Sequence, residues 1–98
     1  MIVHLTAEAE RDLEQIGDWV ARDNPARAVT FIEEIERTCL DLAEFPERFP
    51  LVPRFEDRRV RHLSKGNYLI FYRVESATVV VLHVLHGAMD YSAILFPQ

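Results

Sequence analysis

"YLIFYRVESATVVVLHVLHG", residues 68–87, sets two runs of β-branched and aromatic residues on either side of Glu75, Ser76 and Ala77. Val, Ile, Phe and Tyr suit a pleated surface, and the polar break is short enough for a hairpin. Two antiparallel strands follow from that pattern. Just upstream, "RRVRHLS" (58–64) and the turn "KGN" (65–67) add a third, so the C-terminal half reads as an antiparallel meander. Side chains alternate across a strand, which puts His83 and His86 on opposite faces and rules out one metal held by both. His83 falls with Val79, Val81 and Leu85 and reads as a hydrogen-bonded core residue. His86, at the strand end beside Gly87, reads as an ordered surface residue, and neither reads as a metal ligand.

The N-terminal half has a different period. "IVHLT" (2–6) is a short apolar run ending where Thr6 can cap a helix, with Glu8 and Glu10 in the first turn, where acids favour the helix dipole. Ala9, Leu13, Ile16 and Val20, with Trp19 beside them, then keep the three-and-four spacing of one helical face over residues 7–23. Gly17 inside that helix costs about 1 kcal/mol against alanine, and a close approach of backbones is the expected reason. Asn24 and Pro25 make a cap and a first position for a second helix. Its stripe is Ala28, Ile32, Ile35, Cys39 and Leu42, and the short connection makes an antiparallel helical hairpin.

Ile70, Tyr72 and Val74 lie on one side of their strand and Leu69 and Phe71 on the other; Val79 and Val81 oppose Val80, Leu82 and Val84 in the next. Strands apolar on both sides normally have both sides covered, yet two helices cover one. Two expectations follow. Either an apolar patch rimmed by Arg58, Arg59, Arg61 and Arg73 stays open for another protein, or the proline-rich segment "FPERFPLVPRF" (45–55) closes it. Its prolines Pro46, Pro50 and Pro53 exclude regular helix and central strand there. After Gly87, "AMDYSAILF" (88–96) fits a single helical turn or an irregular tail.

Totals narrow the function classes. Ninety-eight residues are room for one domain, here residues 1–98, around one core. One cysteine, Cys39, excludes an intrachain disulfide and a thiolate-rich zinc site and suits a reducing compartment. With no basic leader and no membrane-length apolar run, the cytoplasm is the expected location. Net charge is −5, unfavourable for nucleic acid, but it is unevenly spread. Residues 1–47 carry twelve acids against four arginines, whereas residues 48–98 carry seven basic residues against four acids. A basic patch on an acidic chain suits an acidic peptide partner.

Catalytic patterns are sparse. The sequence has no glycine-rich phosphate loop, no serine set for a nucleophile elbow and no His and Glu at zinc-binding helical spacing. Arg61, His86 and Tyr91 are the one set able to stabilise a scissile phosphate and move protons in metal-free RNA cleavage.

The order of elements and several stretches together resemble the ParE branch of the RelE/ParE superfamily of toxins from bacterial type II toxin-antitoxin modules. "AEAERDLEQIGDWVARDNPARAVTFIEEI" (7–35) is similar to the family's helical hairpin with its Asn-Pro and following alanine. "LAEFPERFP" (42–50) resembles the start of its loop, "VRHLSKGNYLIFYRV" (60–74) its arginine-bearing and Tyr-Arg strands, and "VVVLHVLHGAMD" (79–90) its last strand with the terminal His-Gly and Asp. The resemblance implies an α+β fold, with an N-terminal strand and helical hairpin packed on a small antiparallel sheet. It also implies a cognate ParD-like antitoxin whose C-terminal segment wraps the toxin in a hetero-oligomer, and a poison of DNA gyrase that is not an enzyme, uses no cofactor and makes no direct nucleic-acid contact. The apolar, arginine-rimmed face and the resemblance together single out Arg58, Arg59, Arg61, Phe71, Arg73, His86 and Tyr91 as partner-binding. The alternative is a RelE/YoeB-like ribosome-dependent mRNA endonuclease, in which Arg61, His86 and Tyr91 would be catalytic. Ala88 and Met89 stand where family members tend to have arginines, and "RFPLVPRF" (48–55) brings no lysine to RNA.

Overall fold

Thr6 ends the first strand and starts the first helix. Its side chain accepts from the Ala9 N–H and donates to the Leu82 carbonyl, so one hydroxyl caps the helix and ties it to the last strand. The computed structural model describes residues 1–97. In chain order they form β1 (Ile2–Leu5), α1 (Ala7–Ala21), α2 (Pro25–Asp41), a 3₁₀ turn (Glu56–Arg58), β2 (Arg61–Lys65), β3 (Tyr68–Glu75), β4 (Thr78–His86) and α3 (Tyr91–Leu95). Asn24 caps α2 through the Arg27 N–H, with Pro25 at its first turn, as the Asn-Pro pair predicts.

The four strands lie in the order β1-β4-β3-β2. β2, β3 and β4 form the expected antiparallel meander, but β1 joins β4 in parallel, Ile2 beside Thr78 and Leu5 beside Val81. The sheet is therefore mixed. No hairpin turn links β1 to β4, so the intervening helices and strands act as the crossover a parallel neighbour requires. Gly66, with φ +60°, opens the two-residue turn between β2 and β3, a position that favours glycine.

The helical hairpin covers one face. Ala9, Leu13 and Ile16 of α1 and Phe31, Ile35 and Cys39 of α2 form one core with Ile70, Tyr72, Val79, Val81 and Val84. Burial pushes the Cys39 thiol up to about 12, which keeps it protonated and inert. Trp19, by contrast, is 63% exposed. Gly17 does face the other helix, but a Cβ there would meet Ile32 Cγ1 at 3.6 Å, ordinary van der Waals contact. The close approach therefore does not require glycine. Gly17→Ala is expected to raise stability by about 0.5–1 kcal/mol, read as a higher urea midpoint at unchanged slope.

The other face is closed as well, which decides between the two expectations from sequence. Val52 of the proline-rich loop, Val60 just before β2 and Phe96 at the end of α3 bury Phe71 and Leu85, with Phe55, Leu69, Leu82, Tyr91 and Leu95 packed around them. The loop is fastened at the edge of the sheet by the Val52 N–H to Val60 O bond and the His62 N–H to Pro50 O bond. Phe55 and Phe96 stack at 4.3 Å between ring centroids. The tail is the single helical turn, not the irregular alternative.

One residue breaks the alternation. Phe71 pairs with His83 but Tyr72 pairs with Val81, leaving Leu82 as an extra residue, a β-bulge. Beyond it the phase of β4 inverts. Val84 turns to the helices, and His83 and Leu85 turn to the loop face, so the sequence grouping of His83 with Val79 and Val81 does not hold.

Candidate functional site

The bulge and the end of β1 create an unusual edge. β1 accompanies β4 only to Val81, and beyond that point Asp12 of α1 takes over the partnering. Its Oδ2 accepts from the Val84 N–H at 3.0 Å and from His83 Nδ1 at 2.7 Å. His83 is therefore not a core residue: it sits at this edge, its side chain 19% exposed. Sequence reasoning passed over Asp12, although it was detectable. Residues 9, 12, 13 and 16 share one helical face, and an acid among Ala9, Leu13 and Ile16 needs a buried-side partner.

The sequence-named site residues disperse. Arg61 donates from Nη1 to the carbonyls of Phe49 at 2.7 Å and Glu47 at 3.0 Å, so it is a loop anchor and not a rim charge. Beside it Tyr72, fully buried, donates its hydroxyl to the Pro46 carbonyl. Burial raises the Tyr72 pKa, and Arg61 and Arg48 partly oppose that shift. Phe71 is fully buried and has no surface to offer a partner in this conformation. Tyr91 packs against it at 5.0 Å, holding α3 down. His86 is exposed and ordered, its Nδ1 accepting from the Ala88 N–H at 3.1 Å and its ring set edge-on to Tyr68 at 5.3 Å. Arg59 sits in a left-handed conformation after the 3₁₀ turn, φ +61°, beside a cavity it shares with Arg61, Glu47 and Glu56.

Arg61, His86 and Tyr91 do not converge. Arg61 is opposite Tyr72, and His86 is opposite Tyr68, so four residues, roughly 13 Å at the rise of a strand, separate their levels along the sheet. Tyr91 lies over the loop face, against Phe71. Among the described residues no cluster of three or more His, Cys, Asp or Glu is arranged to hold a metal ion, and no helix is long and apolar enough to cross a membrane.

Two features face outward instead. Trp19, Tyr68 and His86 border two adjoining hollows, one of about 280 Å³ between α1 and the end of β4 and one of about 320 Å³ between the helices and the β2–β3 turn. On the loop face, Arg58, Arg73 and His83 border a third of about 350 Å³.

A family model described as "ParE toxin of type II toxin-antitoxin system, parDE" matches residues 3–91, which takes in both long helices, β2 to β4 and all but the first residue of β1. The chain belongs to the ParE toxin family. No functionally curated protein matches it. Among solved structures, this ParE-family chain is similar to one from the "Chromosomal ParDE TA system from P. aeruginosa", at 22% identity and TM-score 0.75, covering 88% of this chain and 95% of that one. It is also similar to a chain of the toxin-antitoxin complex RelBE2 from Mycobacterium tuberculosis, at 27% identity and TM-score 0.65, covering 87% and 95%. The ParE and RelE likenesses agree with the α+β arrangement of strand, helical hairpin and sheet.

Proposed function

We propose that this ParE-family toxin acts by holding DNA gyrase, without catalysing a reaction, and is neutralised by a ParD-like antitoxin in a hetero-oligomer. The observation that carries the reading is the dispersal of Arg61, His86 and Tyr91. General acid-base cleavage of RNA needs its groups within hydrogen-bond reach of one phosphate, and here Arg61 is occupied by loop carbonyls while Tyr91 is packed on Phe71. The absence of lysine from residues 48–55 and the net charge of −5 point the same way.

The second reading, a ribosome-dependent mRNA endonuclease, draws on the likeness to the RelBE2 complex. The two readings separate by which synthesis stops first. After induction from a tightly repressed promoter, pulse-labelling of DNA and protein in one culture is expected to show DNA synthesis falling first. Protein synthesis falling first would overturn the gyrase reading and return Arg61, His86 and Tyr91 as catalytic candidates.

A further inference from the structure

We infer that the hollow bordered by Arg58, Arg73 and His83 is a carboxylate socket, which takes an acidic side chain from an amphipathic peptide segment. The identity of that segment as part of the antitoxin rests on the reading above; the socket itself rests on geometry.

Three elements bring the groups together. Arg58 comes from the 3₁₀ turn, Arg73 from β3 and His83 from β4 just after the bulge, and the hollow between them is about 350 Å³. Each group is held from behind with hydrogen-bonding capacity left over. The Arg58 guanidinium lies 5.4 Å over the Phe96 ring, and its nearest acid, Asp57, is 3.9 Å away. Arg73 uses Nη2 on Glu75 at 3.3 Å, which leaves the rest of its five-donor fork. His83 commits its Nδ1–H to Asp12, so the neutral ring lines the hollow with an Nε2 that can only accept, and binding of the acid falls to the two arginines. Two arginine forks suit an acid oxygen pair better than any other common side chain.

The surroundings choose the kind of acid. Val60, Leu82, Ile94, Leu95 and Phe96 add apolar side chains to the lining beside the polar groups, so the socket fits a carboxylate with apolar neighbours. Glu8 also lines it, and Asp12 and Glu75 back His83 and Arg73. Those acids, with the net charge of −5, oppose the repeated phosphates of a nucleic acid. The neighbouring hollow makes the contrast plain. There two arginines, Arg59 and Arg61, share the lining with two acids, Glu47 and Glu56.

The test uses the full-length protein, isotopically labelled, titrated with a nine-residue peptide of glutamate and leucine, with its lysine-for-glutamate counterpart, and with inorganic phosphate at matched ionic strength. Saturable shifts are expected at the Arg58 and Arg73 Nε–H signals and the His83 ring with the glutamate peptide alone. Arg73→Gln and Arg58→Gln should each weaken that binding about tenfold, the cost of losing a charge-assisted hydrogen bond, while Arg37→Gln, on the exposed side of α2, leaves it unchanged. All three arginines are surface residues, and an unchanged amide spectrum verifies each variant's fold. Shifts centred elsewhere, unchanged affinity in Arg73→Gln, or equal shifts with phosphate would overturn the socket. None of these readouts depends on what happens to DNA or protein synthesis, so failure here is distinguishable from failure of the gyrase reading.

Discussion

Phe71→Ala is expected to lower the free energy of unfolding by about 3–5 kcal/mol, the usual loss for removing a fully buried aromatic ring. The ring is completely buried, enclosed by Val52, Val60, Leu85 and Phe96 and packed against Tyr91. The loop and α3 have few other large anchors on this face. The damage should therefore be uneven: limited proteolysis of the variant should cut first in residues 43–60 or after Gly87, before the helical hairpin opens. Urea unfolding gives the magnitude, and a loss below about 1 kcal/mol would mean that the second face is not held as described. Phe71→Leu, which keeps much of the volume, should recover over half of the loss.

The second large effect belongs to Arg61. Removing its side chain takes two charge-assisted hydrogen bonds from the carbonyls of Glu47 and Phe49, and Arg61→Ala should cost about 2–3 kcal/mol. Arg61→Lys should not restore it fully, because the lysine ammonium ends one bond short of the Nη1 position that serves both carbonyls and is not oriented by a planar guanidinium. A stability unchanged by Arg61→Ala would return the residue to a purely functional role. Alkaline pH probes the same corner. Tyr72 has its pKa raised chiefly by burial, so its stabilising contribution is complete below the ordinary tyrosine value and lost as pH rises through the folded one. The Arg61 charge opposes that rise, so Arg61→Ala should widen the alkaline window over which stability falls, measured as the melting temperature between pH 9 and 11.

Local signals in the sequence carried well into the fold. Thr6 and the Asn24-Pro25 pair marked the helix starts, the stripes of α1 and α2 marked their buried faces, and the hairpin breaks at Gly66 and Ser76 fell where the turns lie, because each is decided within a few residues. The direction of β1 was not legible, since nothing near Ile2 encodes a partner at Thr78. Nor was the bulge: Leu82 is as apolar as its neighbours, and only the mismatch between Phe71 and Tyr72 pairings exposes it. That single shift moved His83 out of the core and into the edge held by Asp12. The arginines illustrate a different gap. Charge placed Arg58, Arg61 and Arg73 in one group, but which of them faces solvent depends on where the loop carbonyls lie, a matter of tertiary geometry.

The pairing of β1 with β4 also sets the order of events during synthesis. Ile2 must wait for Thr78, and at ordinary translation speeds of 5–20 residues per second the interval is roughly 4–15 s. During that time the helical hairpin can form, being local in sequence, but its apolar face lacks the last strand against which it packs. The nascent chain thus emerges with an unfinished core, and the Asp12–His83 edge, the bulge and the arginine-lined hollow can all assemble only once β4 leaves the ribosome. Truncated products ending before Thr78 should consequently be substrates for chaperones and proteases and not partial toxins.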